Sequence, residues 1–350
     1  MKKKSNIFRN LIFFILLIVL TFYILLKDQD LLAIIKIISK AKLQYVLIGI
    51  LCMLIYLICE AINMGRTLKA LGEKSNFLKN FKYSLIGFFF SSITPAASGG
   101  QPMQIYYMYK DKISVANSTL ALLINLTSMQ IITISVALIS LLFNYKYLNN
   151  VLVICFIVGI FLNLSALALL IIGVFSKRLS RGLINIAIKL LTLLKVKNID
   201  AKKEKLENEL SKYHASAVYI KNNKRLIIIT LLTTLIQFTI YYSITYWTYR
   251  SLGLAKYNII EIITMQSVLF ATVSGIPSPG AVGVSEGAFM EIFRNVFPKT
   301  MISSAVLLNR GINFYLFVII SGVVTIINHI KTKMIKADTN MVEENIDIIE

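Results

Sequence analysis

Every proline of this chain falls in or just after one of two short windows, and both windows interrupt strongly apolar sequence. Pro95 and Pro102 belong to Ser91-Ser92-Ile93-Thr94-Pro95-Ala96-Ala97-Ser98-Gly99-Gly100-Gln101-Pro102. Pro277, Pro279 and Pro298 lie in or after Ser274-Gly275-Ile276-Pro277-Ser278-Pro279-Gly280-Ala281-Val282-Gly283-Val284-Ser285-Glu286-Gly287. Proline removes a backbone donor and glycine loosens the chain, so both windows break helices. Inside hydrocarbon, a broken backbone survives only where protein or a watery cavity satisfies it. One break in each half of the chain points to a polar site near the bilayer midplane, the arrangement that transporters use.

The premise of a membrane rests on composition and run length. Hydrophobic residues make up 57% of the chain and charged residues 15%, which excludes an ordinary soluble domain. Full spans are expected near 11–26, 43–63, 113–143, 151–175, 226–249 and 301–330, with interrupted regions at about 83–110 and 258–297. The expected fold is therefore an all-α polytopic membrane protein, with about six full transmembrane helices and two broken re-entrant hairpins. The run Leu11 to Leu26 follows Lys2, Lys3, Lys4 and Arg9 without a small-residue cleavage site, and reads as a retained signal anchor. Residues 1–336 are expected to form one integral membrane domain, with an acidic tail over 337–350.

The formal net charge of +20 is unevenly spread. Residues 176–225 hold thirteen Lys/Arg against Asp200, Glu204, Glu207 and Glu209. Lying between apolar runs, this stretch reads as a basic loop on the cytoplasmic side, in contact with anionic headgroups, rather than as a nucleic-acid surface. With both hairpins re-entrant, Lys and Arg fall about threefold more often on the side of this loop, which places both termini inside. The first hairpin then enters from the cytoplasm and the second from outside, consistent with an inverted repeat. Residues 28–42 read as an interfacial amphipathic helix, and 183–212 as helical along the inner surface. Tyr241, Tyr242, Tyr246, Trp247 and Tyr249 read as an aromatic anchor at the membrane surface.

Charges inside spans are costly and deserve individual attention. Arg310 lies roughly 14 Å into the last span at ~1.5 Å per residue, too deep to snorkel, and needs a carboxylate, carbonyls or an anionic ligand. Glu286, directly after the second break among Gly283 and other small residues, is its natural partner, as a static bridge or as a gate. Glu60 and Arg66 are placed toward the inner end of the second span, while Glu261 and Glu291 belong near the outer surface. The first break carries no carboxylate. Its Thr94, Ser98, Gln101 and the backbone N–H groups beside Gly99 and Gly100 either bind phosphate or only satisfy their own hairpin. Cys52, Cys59 and Cys155 lie in apolar runs, and His214 and His329 are far apart in sequence, so neither a metal nor a cofactor is expected.

These residues also resemble a known family. Gly65-Arg66, Thr94-Pro95, Ser98-Gly99-Gly100-Gln101-Pro102, then Pro277-Ser278-Pro279-Gly280-Ala281-Val282-Gly283-Val284-Ser285-Glu286 and Asn309-Arg310 are similar to the motifs of the lysylphosphatidylglycerol synthase transmembrane-region family, over nearly the whole chain. Gly280 is followed by Ala281 where the family pattern has paired glycines. The resemblance implies a flippase-like module that moves phosphatidylglycerol or lysyl-phosphatidylglycerol between leaflets of a bacterial plasma membrane. Its implied site comprises Arg310, Glu286, Pro95, Pro277, Pro279, Gly280 and the neighbouring hydroxyls. In the best-known members a separate soluble domain makes the lipid, and the twenty residues after the last span leave no room for one. The expected partners are therefore anionic phospholipids and a separate lipid synthase. The alternative is phosphatidylglycerol lysyltransferase activity, using lysyl-tRNA and linked to cationic-peptide resistance, or an accessory subunit of a lipid-modifying enzyme.

Overall fold

The computed structural model describes residues 31–144, 150–193, 199–276 and 278–330. The expected first span at 11–26, the acidic tail and Pro277 lie outside the described residues. Those described form helices and turns with no strand among them, as expected for an all-α membrane protein. A short helix α1 (Leu31–Ser39) precedes α2 (Leu43–Ala70). The first interrupted region gives α3 (Phe77–Ile93) and α4 (Gly100–Lys110), followed by α5 (Val115–Asn144) and α6 (Asn150–Phe175). Two further helices, α7 (Lys177–Leu193) and α8 (Ile199–Asn222), lead into α9 (Lys224–Ser251). The second interrupted region gives α10 (Ile259–Val273) and α11 (Val284–Ile292), and α12 runs from Ile302 to Ile330.

Five of these helices are long and apolar enough to cross a membrane: α2, α5, α6, α9 and α12. Each has at least 24 residues, or about 36 Å, against ~30 Å of hydrocarbon. In contrast, α10 has 15 residues and rises only ~22 Å, too little for a full crossing. Both α3 with α4 and α10 with α11 pack against each other across their breaks. Three full spans separate the two pairs. Two re-entrant pairs separated by an odd number of crossings open on opposite membrane faces.

Packing repeats the same division. One buried cluster joins Met64 and Leu68 of α2, Ile86 and Phe90 of α3, Met108 of α4 and Leu122 of α5. A second joins Tyr249 of α9, Met265 and Leu269 of α10, Phe289 of α11 and Val306 of α12. Each half thus wraps one broken pair between two spans. The interface between the halves includes a close crossing where a Cβ on Gly159 of α6 would meet Ala271 O at 2.6 Å and Thr272 Cα at 2.8 Å. There Asn163 donates to Ala271 O at 3.1 Å and to Ser274 Oγ at 3.1 Å. Outward-facing apolar residues such as Ile154, Ile157 and Phe161 of α6 remain exposed, as a lipid-facing surface requires.

Three expectations are corrected here. The span placed at 43–63 continues to Ala70, because its polar residues are satisfied inside the bundle: Asn63 donates to Thr234 of α9 at 3.0 Å, and Arg66 to Asn63 and Thr233. The basic stretch 176–225, read as a loop with helical spacing over 183–212, is helical over more of its length, its described residues forming α7 and α8. Glu209 of α8 accepts from Ser114 Oγ and from the Ala116 N–H, placing a carboxylate at the positive end of α5. The aromatic group is split. Tyr246 and Trp247 are half-buried beside Tyr45 and Arg250, Tyr242 and Tyr249 are buried, and Tyr241 packs on Tyr56. Elsewhere Glu261 closes a capping box with Asn258 at the start of α10, and Glu291 pairs with Arg294 on the surface.

Asp111, at the turn between α4 and α5, ties that turn back to α3. Lys82 Nζ lies 2.7 Å from its carboxylate and Tyr83 OH donates at 2.5 Å. Burial alone would raise this carboxyl, but the Lys82 and Tyr83 hydrogen bonds and the nearby lysine charges prevail and hold it below the ordinary carboxylate value. A depressed folded-state value adds stability above the unfolded value of ~3.9, and that stability is lost as pH falls through the folded value. Asp111→Asn is therefore expected to lower the melting temperature at neutral pH by a few degrees. The difference from wild type should vanish in acid, a convergence that thermal melts across pH 3–8 would test.

Candidate functional site

The two breaks open alike and then diverge: Ser98, after the first turn, is helical at φ −65, ψ −17, while Val282, after the second, is extended at φ −64, ψ 137. An extended residue opens each: Thr94 at φ −119, ψ 143 and Ser278 at φ −113, ψ 146. A proline then starts a 3-10 turn, Pro95–Ala97 in one case and Pro279–Ala281 in the other. In each turn the alanine two residues after proline is left-handed, Ala97 at φ 53 and Ala281 at φ 52. The N–H groups that close the turns match as well: Ala97 to Thr94 O and Ala281 to Ser278 O, both 3.2 Å. Ser98 to Pro95 O and Val282 to Pro279 O are both 3.1 Å. Proline fixes φ at the first turn position without losing a needed donor. The two 3-10 turns touch each other, bringing the two halves of the chain together.

Beside this contact lies a buried ion pair. Arg310 Nε is 2.7 Å from Glu286 Oε1, and Arg310 Nη2 donates to Gly280 O at 2.9 Å. Glu286 is 1% exposed, which leaves its charge no solvent to rely on. Its other oxygen accepts from the Gly283 N–H at 2.7 Å, capping the start of α11. Tyr315 OH donates to the same carboxylate at 3.4 Å. The guanidinium stands 4.1 Å from the Phe314 ring centroid, an additional attraction for a desolvated cation. Gly280 makes this approach possible, since the Phe314 ring occupies the place where its side chain would begin, and φ is +58. Residues Gly311–Tyr315 form a π-helical turn in α12, a local irregularity directly after Arg310.

A cavity of about 270 Å³ opens against the pair. Ser91, Ser92 and Ala97 line it from the first break, and Ser278, Gly280, Ser285 and Glu286 from the second. Asn309, Arg310 and Asn313 supply one wall from α12, with Gln266 of α10, Tyr56 of α2 and Tyr241 of α9 completing the polar surface. Ser278 Oγ and Asn313 Oδ1 are buried there without a hydrogen-bond partner among the described residues, leaving an open donor and an open acceptor. Among the described lining residues, the hydrogen-bond donors and one buried cation can bind an anion reversibly. Among the described residues no group of three His, Cys, Asp or Glu side chains could hold a metal ion.

Of the residues singled out from sequence, Arg310, Glu286, Gly280, Pro279 and Gly283 converge here. Pro279 and Gly283 flank the lining rather than form it, and Thr94, Pro95, Ser98, Gly99, Gly100, Gln101, Arg66 and Glu60 are not among the lining residues. Thr94 Oγ1 donates to Phe90 O and accepts from the Gly99 N–H, so the hydroxyl closes its own hairpin and Gly99 offers no free donor. Pro95 and Ser98 are exposed, and Gly100 lets α4 approach the Gly87 carbonyl and Ser91 of α3. Gln101 and Pro102 continue α4 away from the cavity. Arg66 and Glu60 lie further along α2. Conversely, sequence reasoning passed over Gln266, Asn313 and Tyr56, and read Tyr241 as a surface anchor rather than as part of this lining. Asn313 could have been found from its place one turn after Asn309 in an apolar span.

Comparison with known proteins agrees with this architecture. Residues 9–321 match the family described as the lysylphosphatidylglycerol synthase TM region. The chain is also similar to a UPF0104 membrane protein, PH1989, of Pyrococcus horikoshii, with 25% identity over 305 residues that cover 84% of this chain and 90% of the relative. The chain belongs to the lysylphosphatidylglycerol synthase TM-region family and is a multi-pass integral membrane protein.

Proposed function

We propose that this member of the family is a lipid flippase, moving an anionic or aminoacylated phospholipid of the phosphatidylglycerol class between leaflets of a bacterial plasma membrane. One observation carries the reading: two matching broken segments, one from each half, meet beside a cavity that ends on a buried Arg310–Glu286 pair. A lipid phosphodiester presents oxygens that Arg310 binds in place of Glu286, and the serine and asparagine side chains complete its hydrogen bonds. Exchange between an Arg310–Glu286 and an Arg310–phosphate pair supplies two states whose balance the ligand shifts. Both termini face the cytoplasm in this reading. The basic face of α7 and α8, with Lys177, Arg178 and Arg181, then gathers anionic lipid on the inner surface. A separate synthase supplying aminoacylated lipid is the expected partner.

The test is leaflet sidedness of fluorescent lipid in proteoliposomes. Phosphatidylglycerol and its lysyl ester should equilibrate between leaflets at least tenfold faster with protein than without, and faster than a zwitterionic lipid of the same chain length. Equal rates with and without protein for every lipid would overturn the reading. The same vesicles supplied with lysyl-tRNA report lysyl transfer, whose appearance would make the protein an enzyme instead.

A further inference from the structure

The long interface between α2 and α9 contains an unusual succession of polar residues below the cavity. The helices run antiparallel, and their contacts fix the levels. At the top Tyr56 packs on Tyr241 with ring centroids 5.0 Å apart, and both line the cavity. Two turns lower Asn63 donates to Thr234 at 3.0 Å, and beyond it Arg66 donates to Thr233 at 3.1 Å. Between these rungs stand Glu60 on α2 and, at the same level, Gln237 on α9. Gln237 is 0% exposed, and neither its amide nitrogen nor its oxygen has a hydrogen-bond partner among the described residues. A buried amide left without a partner carries a desolvation cost that a polar group or an ordered water would relieve.

Glu60 stands ten residues before the end of α2, ~15 Å along the axis from Ala70. It has no ion pair among the described residues. Its hydrogen-bond partner is Gln104 Nε2 of α4, which donates to Oε1 at 3.2 Å while also donating to Tyr83 O at 3.1 Å. The neutral amide favours the charged carboxylate, the apolar surroundings favour the neutral acid, and no cation decides between them. On its own helix stand Tyr56 and Cys59, with Arg66 engaged by Asn63 and Thr233. Neighbouring helices carry Tyr83 on α3, whose carbonyl accepts from the same Gln104, Tyr107 on α4, and Tyr241 and Tyr242 on α9, where Tyr241 packs on Tyr56. On α12, Tyr315 and Arg310 are committed to Glu286, and α5 carries no titratable side chain.

We propose that Glu60 is a proton-binding site, reached along the α2–α9 ladder, and that its protonation and deprotonation couple lipid movement to a proton gradient. The step is a bare proton transfer from water to the carboxylate and back, with no other bond made or broken. Protonation removes the negative charge of Glu60 beneath the cavity, so the phosphate-bearing state and the neutral Glu60 state favour each other. The proposal rests on the flippase reading for its coupling, but not for the proton site.

Two measurements on full-length protein in liposomes separate these. First, fluorescent phosphatidylglycerol movement is followed with and without an imposed pH gradient. Wild type should respond to the gradient about tenfold, and Glu60→Gln should lose that response while still inserting and melting cooperatively. Lipid movement indifferent to the gradient in wild type would overturn the coupling and leave the flippase reading intact. Second, infrared difference spectra across pH should contain a protonated-carboxyl band that Glu60→Gln abolishes, whether or not lipid moves. If that band is missing from wild type, or persists in Glu60→Gln, the proton site is refuted. Gln104→Leu should shift the titration of the band without removing it, which a purely structural Glu60 would not do.

Discussion

Replacing Arg310 with methionine is expected to stop lipid movement and to cost about 3–5 kcal/mol of stability. The cost comes from Glu286, which would remain buried with only the Gly283 N–H and Tyr315 OH against its charge. Methionine preserves much of the arginine stem but not the guanidinium that stands over Phe314, so the lost cation–π contact adds to the cost. Glu286→Gln alone should also destabilise, by leaving the guanidinium without its counter-charge. The double variant Arg310→Met with Glu286→Gln removes both charges, and should recover most of the melting temperature. It should not recover transport, because the anion-binding group is gone. If the double variant moved lipid at the wild-type rate, the pair would be structural and the phosphate would bind elsewhere.

The second large effect is expected at Gly280. Valine there must adopt φ near +58, unfavourable for any L-residue and most of all for a β-branched one, while its side chain enters the Phe314 ring. Steric overlap and backbone strain together should cost about 3 kcal/mol. The displaced carbonyl would also leave Arg310 Nη2 without its acceptor. Gly253 is the control, since its φ is +83 but nothing lies within 4 Å of the added atom. Gly253→Val should cost only the backbone term and leave lipid movement intact. Thermal melts and transport rates for both variants would separate the geometry of the break from left-handed strain in general.

The breaks were legible in the sequence because proline and glycine inside an apolar run admit few explanations. Arg310 and Glu286 were legible because charge deep in such a run must find a partner, and each was the other's nearest candidate. The hydroxyls of the first break were not. Thr94 can satisfy a ligand or its own hairpin with the same atom, and only the Phe90 carbonyl and the Gly99 N–H show that it does the latter. Tyr241 and Tyr242 misled for a related reason: an aromatic near the end of a span anchors at the surface or fills a core, depending on what faces it. Helical spacing over 183–212 made α7 and α8 partly legible, but not the task of Glu209 at the start of α5. The depth of Glu60 followed only once α2 was seen to continue past Arg66 to Ala70.

The central claim is that a lipid phosphate occupies the space between the two breaks. A phospholipid carrying a photoactivatable group on its headgroup, cross-linked in proteoliposomes and mapped by peptide mass spectrometry, tests it most directly. The expected result is cross-linking to the cavity-lining segments around Ser91–Ala97 and Ser278–Glu286, sharply reduced in the doubly neutralised Arg310→Met, Glu286→Gln variant. Cross-links confined to lipid-facing residues of α6, unchanged in that variant while transport continues, would contradict it.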